Sequence, residues 1–291
     1  VILLTDGLAN IGIQNPEALA EIVSSMRVKG ITTTTIGVGS DYDEMLLGKM
    51  AEKGGGNTFF IEKPSDAVEV FAEEVGYLTS LSATNCTVKF EPAKEKIAYS
   101  QLNSYSVLED GSWLVGDLYN GQKRSIVIEM KIPAIKALGH TELGRLVITY
   151  KDSAAKGTAS KVVHCPIGVK VVSKDDFKNE MPDSAVLCEA SILMMAQAKS
   201  EAIKLADGHK FDEAASLLEN VAAEVDKLKL NDNQVSKFVN DLRDLATKFR
   251  TEKDKYYTAQ NRKRMYYDSD MVMKSQMASY SSMIERRNRE K

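Results

Sequence analysis

The chain has 291 residues, 43% hydrophobic and 27% charged, with a formal net charge of −3. That composition belongs to a globular chain and excludes a fibrous or disordered one, and the length suits about two or three domains. No run approaches ~18 consecutive apolar residues, so no membrane span is predicted.

The charge is unevenly placed. Residues 1–82 hold 12 acidic and 5 basic side chains, and residues 248–291 hold 6 acidic and 12 basic. The basic end lacks a dense run or regular stripe, which argues against nucleic-acid binding. Cys86, Cys165 and Cys188 show no CxxC spacing, and His140, His164 and His209 are scattered. A disulfide framework, a structural zinc site and a His-centred triad are therefore not expected.

Residues 1–82 read as alternating strand and helix. Val1–Leu4 is a short apolar run suited to a parallel strand buried on both faces. Asn15 is placed to cap a helix and Pro16 to occupy its first position. Ile31–Val38 is the next strand. A second helix spans about Asp41 to Lys53, with Met45, Leu46 and Met50 inward, and Gly54-Gly55-Gly56 stops it. Thr58–Ile61 is a third strand. A third helix follows Pro64, with Val68, Phe71 and Val75 recurring at helical spacing. This order implies a parallel sheet with crossover helices.

Residues 83–175 change period. Ile126, Ile128, Met130 and Ile132 alternate with Val127, Glu129 and Lys131, the pattern of a half-buried strand. Val88–Phe90, Trp113–Leu118, Leu143–Tyr150 and Val162–Val172 look similar. Asp110-Gly111 and Asn120-Gly121 carry hairpin-turn chemistry. An antiparallel β-sandwich-like domain is predicted. Residues 183–258 are helical, with a buried helix over Ser184–Ala206. Phe211, Ala215, Leu218, Ala222 and Val225 form the stripe of a second helix. Val235, Phe238, Leu242, Leu245 and Phe249 form that of a third. Residues 259–291 show weak periodicity and are expected to be poorly ordered.

The most informative feature is Val1-Ile2-Leu3-Leu4-Thr5-Asp6-Gly7. Ligands of α/β sheets bind in the crevice at the carboxyl ends of the strands, and Asp6 stands there. It suits a hard cation such as Mg²⁺, which takes oxygen ligands. It equally suits capping of the turn, and spacing alone does not separate the two.

The same segment, with Asn10, the Pro16 helix, the Thr33–Gly39 strand and Gly54-Gly55-Gly56-Asn57-Thr58-Phe59-Phe60, resembles the second half of a von Willebrand factor type A domain. The resemblance covers about residues 1–80. It implies a partial Rossmann-like α/β domain, and the chain is expected to be truncated before the fourth strand of that domain. It further implies a metal-ion-dependent adhesion site built from three loops, of which only the third, with Asp6, is present. The Asp-x-Ser-x-Ser of the first loop is missing. Weak or absent Mg²⁺ binding is therefore expected here, with Mg²⁺ held by the intact parent domain. Residues 115–126 resemble a stretch of the β-rich region that follows such domains in intracellular members of the superfamily. The helices over 184–228 faintly resemble a tetratricopeptide-like pair.

The function these readings imply is that of a protein-interaction scaffold, not an enzyme, whose metal site holds an acidic side chain of a protein partner. A Rossmann-like hydrolase or transferase using Asp6 and a structural protein with an inactive metal site are the alternatives. Gly37-Val38-Gly39 lacks the third glycine of a dinucleotide loop. Asp41, Asp43 and Glu44 are read as favouring a helix N-terminus. Cysteine use points to an intracellular, cytoplasmic setting, no membrane partner is expected because no membrane span is predicted, and Asn85-Cys86-Thr87 is read as a chance glycosylation sequence.

Overall fold

Three units follow one another along the chain, seen in a computed structural model that describes residues 1–94, 96–153, 159–177 and 182–276. The first is α/β. Strands β1 (Ile2–Thr5), β2 (Thr33–Val38) and β3 (Gly55–Ile61) form a parallel sheet in that order. Between them lie helices α1 (Pro16–Val28) and α2 (Glu44–Gly54), and α3 (Ala67–Thr79) follows. Local signals set the helix ends. Asn15 Oδ1 accepts from Ala18 N at 3.1 Å and Pro16 opens α1, and Asp43 Oδ1 accepts from Met45 N and Leu46 N. Gly55 closes α2 in the left-handed region at φ 73°, which glycine adopts without steric cost.

The sheet has two different faces. Thr35 and Gly37 face α2, where the Thr35 hydroxyl donates to Leu47 O. Ile36 packs with Phe59, Ile61 and Val70 of α3 on the other side. The phase of α3 corrects the predicted one. Val68, Phe71 and Val75 are exposed, whereas Val70 and Glu74 are buried. Glu74 is held inside because it accepts from Thr34 Oγ1 at 2.5 Å and Asn57 Nδ2 at 3.0 Å. In α2, Met45 likewise points to solvent, and Leu47 joins Met50 in the core.

The second unit holds β4 (Leu81–Pro92), β5 (Ala98–Gln101), β6 (Trp113–Tyr119), β7 (Ile128–Lys131), β8 (Gly139–Asp152) and β9 (Lys161–Val171). An antiparallel sheet in the order β6-β4-β8-β9 faces the pair β5-β7. Phe90 and Tyr99 join the layers at 4.8 Å between ring centroids, and Trp113 lies in the same core. Asp110-Gly111 makes the predicted tight turn, with Leu108 N donating to Ser112 O. Asn120-Gly121 also turns, but β6 and β7 do not pair as a hairpin. Side-chain and backbone bonds pull residues 124–127 into the other layer: Val127 N donates to Asn103 Oδ1 and Ser125 N to Ser275 Oγ.

The third unit packs α4 (Ser184–Asp207), α5 (Phe211–Lys227) and α6 (Asn233–Thr251), and all ten predicted stripe residues of α5 and α6 are buried. A further helix, α7 (Ala259–Met273), occupies the first part of the segment expected to be poorly ordered. Its Met265, Tyr267, Met271 and Val272 are buried. The rest of that segment, residues 277–291, lies outside the described residues. Met265 and Met271 share one apolar core with α4, α5 and α6 and with Tyr42, Leu47 and Phe60 of the α/β unit. Among the described residues no helix is long and apolar enough to cross a membrane.

Candidate metal-site loop and its surroundings

Asp6 follows the last residue of β1 at the carboxyl end of the parallel sheet, and it is exposed. The turn is closed by its neighbour. Thr5 Oγ1 donates to Gly7 O at 3.0 Å and accepts from Gly7 N at 3.3 Å. The turn thus closes without the Asp6 carboxylate, which makes no side-chain hydrogen bond among the described residues. One carboxylate does not make the near-octahedral oxygen shell that Mg²⁺ requires. Among the described residues there is no group of three or more His, Cys, Asp or Glu side chains arranged to hold a metal. The residues present therefore do not fit a complete Mg²⁺ site.

The neighbouring strand end is built by packing. A Cβ on Gly37 would lie 2.3 Å from the Tyr42 ring, so this glycine of the Gly37-Val38-Gly39 sequence exists to admit an aromatic ring. Burial raises the Tyr42 phenol well above its ordinary range.

Beside Tyr42 lies an ionic cluster that the sequence analysis did not find. Glu44, expected only to favour the helix N-terminus, is buried and faces α7. Its carboxylate accepts from Lys263 Nζ at 2.5 Å and pairs with Arg262. Lys263 also donates to Tyr42 O and sits 4.3 Å from the centre of the Tyr42 ring. Arg262 reaches Asp207 at the end of α4 with two further bonds, at 2.6 and 2.8 Å. Arg264 and Gln260 bind Glu62, just after β3. Burial, then Arg262, pulls the Lys263 ammonium below its ordinary value, while Asp43 and Asp41 oppose that shift. The only sequence signal was the Arg262-Lys263-Arg264 triplet, which in a weakly periodic stretch reads as solvated charge.

A second polar junction ties α1 to the β unit. Arg27 Nε donates to Asn85 Oδ1 at 2.8 Å, and its guanidinium lies 3.8 Å from Asp117. Burial raises the Asp117 carboxyl above its ordinary range, opposed by the bond from Asn85 N and by Arg27. The three cysteines are free, and burial pushes the Cys86 thiol up to about 11.

No family model matches the chain. Over 96 residues it is 33% identical to the uncharacterized protein YfbK of Escherichia coli (strain K12), covering 32% of this chain and 17% of that protein. Two solved structures are similar over far more of it. One is the ArnB paralog VWA2 from Sulfolobus acidocaldarius, with TM-score 0.53, 18% identity and 94% of this chain covered. The other is a von Willebrand factor type A protein from Catenulispora acidiphila, with TM-score 0.55, 16% identity and 84% covered. The chain spans 62% and 64% of those two. Across most of its length, then, the chain has the fold of von Willebrand factor type A domain proteins.

Proposed function

We propose that this chain is part of a protein-interaction scaffold, and that its α/β unit binds protein along β1 and the outer face of α3. One observation carries the reading. Ile2 and Leu4 are register partners of Thr34 and Ile36, so they lie on the α3 side of the sheet. They stay 40% and 52% exposed, and Val68, Phe71 and Val75 of α3 are exposed as well. Among the described residues β1 is hydrogen-bonded to a strand on one side only. An open edge beside uncovered apolar side chains is a template for another chain segment. Asp6 directly follows the same strand and would meet whatever covers it. In this reading Asp6 is the residue of this chain that would contribute to a Mg²⁺ site, which the described residues do not complete.

Sedimentation velocity over a concentration series tests the surface. The chain is expected to self-associate, and the Leu4→Lys/Phe71→Lys variant to associate much less. A chain that stays monomeric at every concentration, or a variant that behaves like its parent, overturns the proposal. Calorimetric titration with Mg²⁺ tests the metal side, and tight stoichiometric binding by this chain would refute the incomplete-site reading.

A further inference from the structure

The connection from β7 to β8 is Ile132-Pro133-Ala134-Ile135-Lys136-Ala137-Leu138. It is apolar apart from one lysine, yet it lies at the surface: Ile132 is 41% exposed and Leu138 66%. Runs of exposed apolar residues in a loop are costly to solubility and call for a function. The loop and the neighbouring β4–β5 connection enclose a cavity of about 150 Å³ lined by Ile97, Ile132, Ile135 and Leu143, with Lys94 and Glu142. An apolar space of that size takes a group about as large as benzene.

Four exposed lysines lie in or beside these two loops. Lys94, Lys96, Lys131 and Lys136 are all exposed, and among the described residues none has a carboxylate partner. In sequence, Glu95 is the one acidic residue within the two loop segments 92–97 and 131–138.

We infer that this end of the β unit docks on an anionic lipid surface. Ile132 and Leu138 enter the boundary between headgroups and acyl chains, the cavity receives the end of an acyl chain, and the four lysines meet the headgroups. Lysine stems lie along apolar surface while their ammonium groups stay hydrated, which suits that interface. The apolar side chains here are few and interrupted by proline and alanine, so they offer a folded protein partner little area to pack. A fluid layer of negative charge over hydrocarbon matches both the exposed lysines and the apolar tips. Such contact needs no membrane-spanning segment.

Co-sedimentation of the full chain with vesicles tests this. The chain is expected to partition onto phosphatidylcholine vesicles containing phosphatidylserine, and not onto phosphatidylcholine alone. Neutralising one lysine (Lys136→Gln) should lower partition about five-fold, and added salt should lower it further. Ile132→Asp/Leu138→Asp should abolish it without changing the melting temperature. The Leu138→Trp variant reads insertion directly, because the one native tryptophan, Trp113, is buried. Its emission should shift to the blue with anionic vesicles. No partition, partition unaffected by Leu138→Asp, or an unshifted Leu138→Trp emission would each overturn the inference.

Discussion

Glu44 offers the sharpest test of how the helical unit is fixed to the α/β unit. Its side chain is 10% exposed and that of Lys263 is 7% exposed, so Glu44→Gln leaves a buried ammonium without its counter-charge. Breaking a buried pair by removing one partner costs about 3–5 kcal/mol. Two terms reduce that here. Arg262 keeps its bidentate contact with Asp207, and Lys263 keeps Tyr42 O and the face of the Tyr42 ring. Two charge-assisted hydrogen bonds at roughly 1.5 kcal/mol each give the same order, so we expect a loss of about 3 kcal/mol. With unfolding entropy scaling with length, that lowers the melting temperature of a chain this size by about 5 °C. Calorimetry measures the shift, and amide exchange places it: protection should fall in α7 and the first turn of α2. A Glu44→Leu/Lys263→Leu variant should recover most of the loss, since apolar replacement of both partners removes the stranded charge. A Glu44→Gln variant that melts within about 1 °C of its parent, with α7 protection unchanged, refutes the reasoning.

Three further outcomes are expected. Gly56→Ala should destabilise by about 1–3 kcal/mol in chemical denaturation, because its Cβ would lie 2.4 Å from Thr33 O, a backbone atom that cannot move aside. Gly7→Ala, with no atom within 4 Å of the new Cβ, is the neutral control. Asn103→Ala should cost about 2–3 kcal/mol: its amide donates to Ser125 O and Met273 O and accepts from Val127 N, so exchange should rise at the end of α7. Asp117 gives a pH dependence. Its folded value lies above its ordinary 3.8, so the native state holds a proton that the unfolded chain releases. That makes stability fall as pH rises through the interval above the ordinary value. The stability of the parent relative to Asp117→Asn should therefore improve on acidification from neutral toward pH 4. A gap independent of pH would contradict the burial of this carboxyl.

What was legible in the sequence is what neighbours decide. Asn15 and Pro16 start α1 by local bonding, and Asp110-Gly111 turns by its own backbone freedom. The stripes of α5 and α6 lie inward because each stripe is the apolar side of its own helix. The position of Asp6, one residue past an apolar strand, was legible for the same reason. The errors share the opposite property. On α3 the apolar stripe at Val68, Phe71 and Val75 was read as the buried face, yet Glu74 is inside because Thr34 and Asn57 wait for it across the sheet. No helical periodicity encodes partners that distant. Asn120-Gly121 turned correctly, but its hairpin was lost to bonds from Asn103 and Ser275.

Helix α7 concentrates that non-local information, which is why a stretch with little pattern of its own is ordered. Along one side it meets the α/β unit three times, through Lys263 at Glu44, Arg264 at Glu62 and Lys274 at Glu52. At its end, Met273 O and Lys274 O accept from Asn103, Tyr105 and Arg124 of the β unit. Each of those acidic and donor groups would be left without its α7 partner if the helix moved away. Loss of any one contact is therefore opposed by the others, and the helix holds the three units in one arrangement. Its first turns grip the loop after β2 and the end of β3, at the same end of the sheet as Asp6. A ligand or partner that shifts that end of the sheet must work against α7, and through α7 against the β unit. The buried charges of α7 thus contribute less to net stability than to fixing how the carboxyl end of the parallel sheet and the β unit sit with respect to each other.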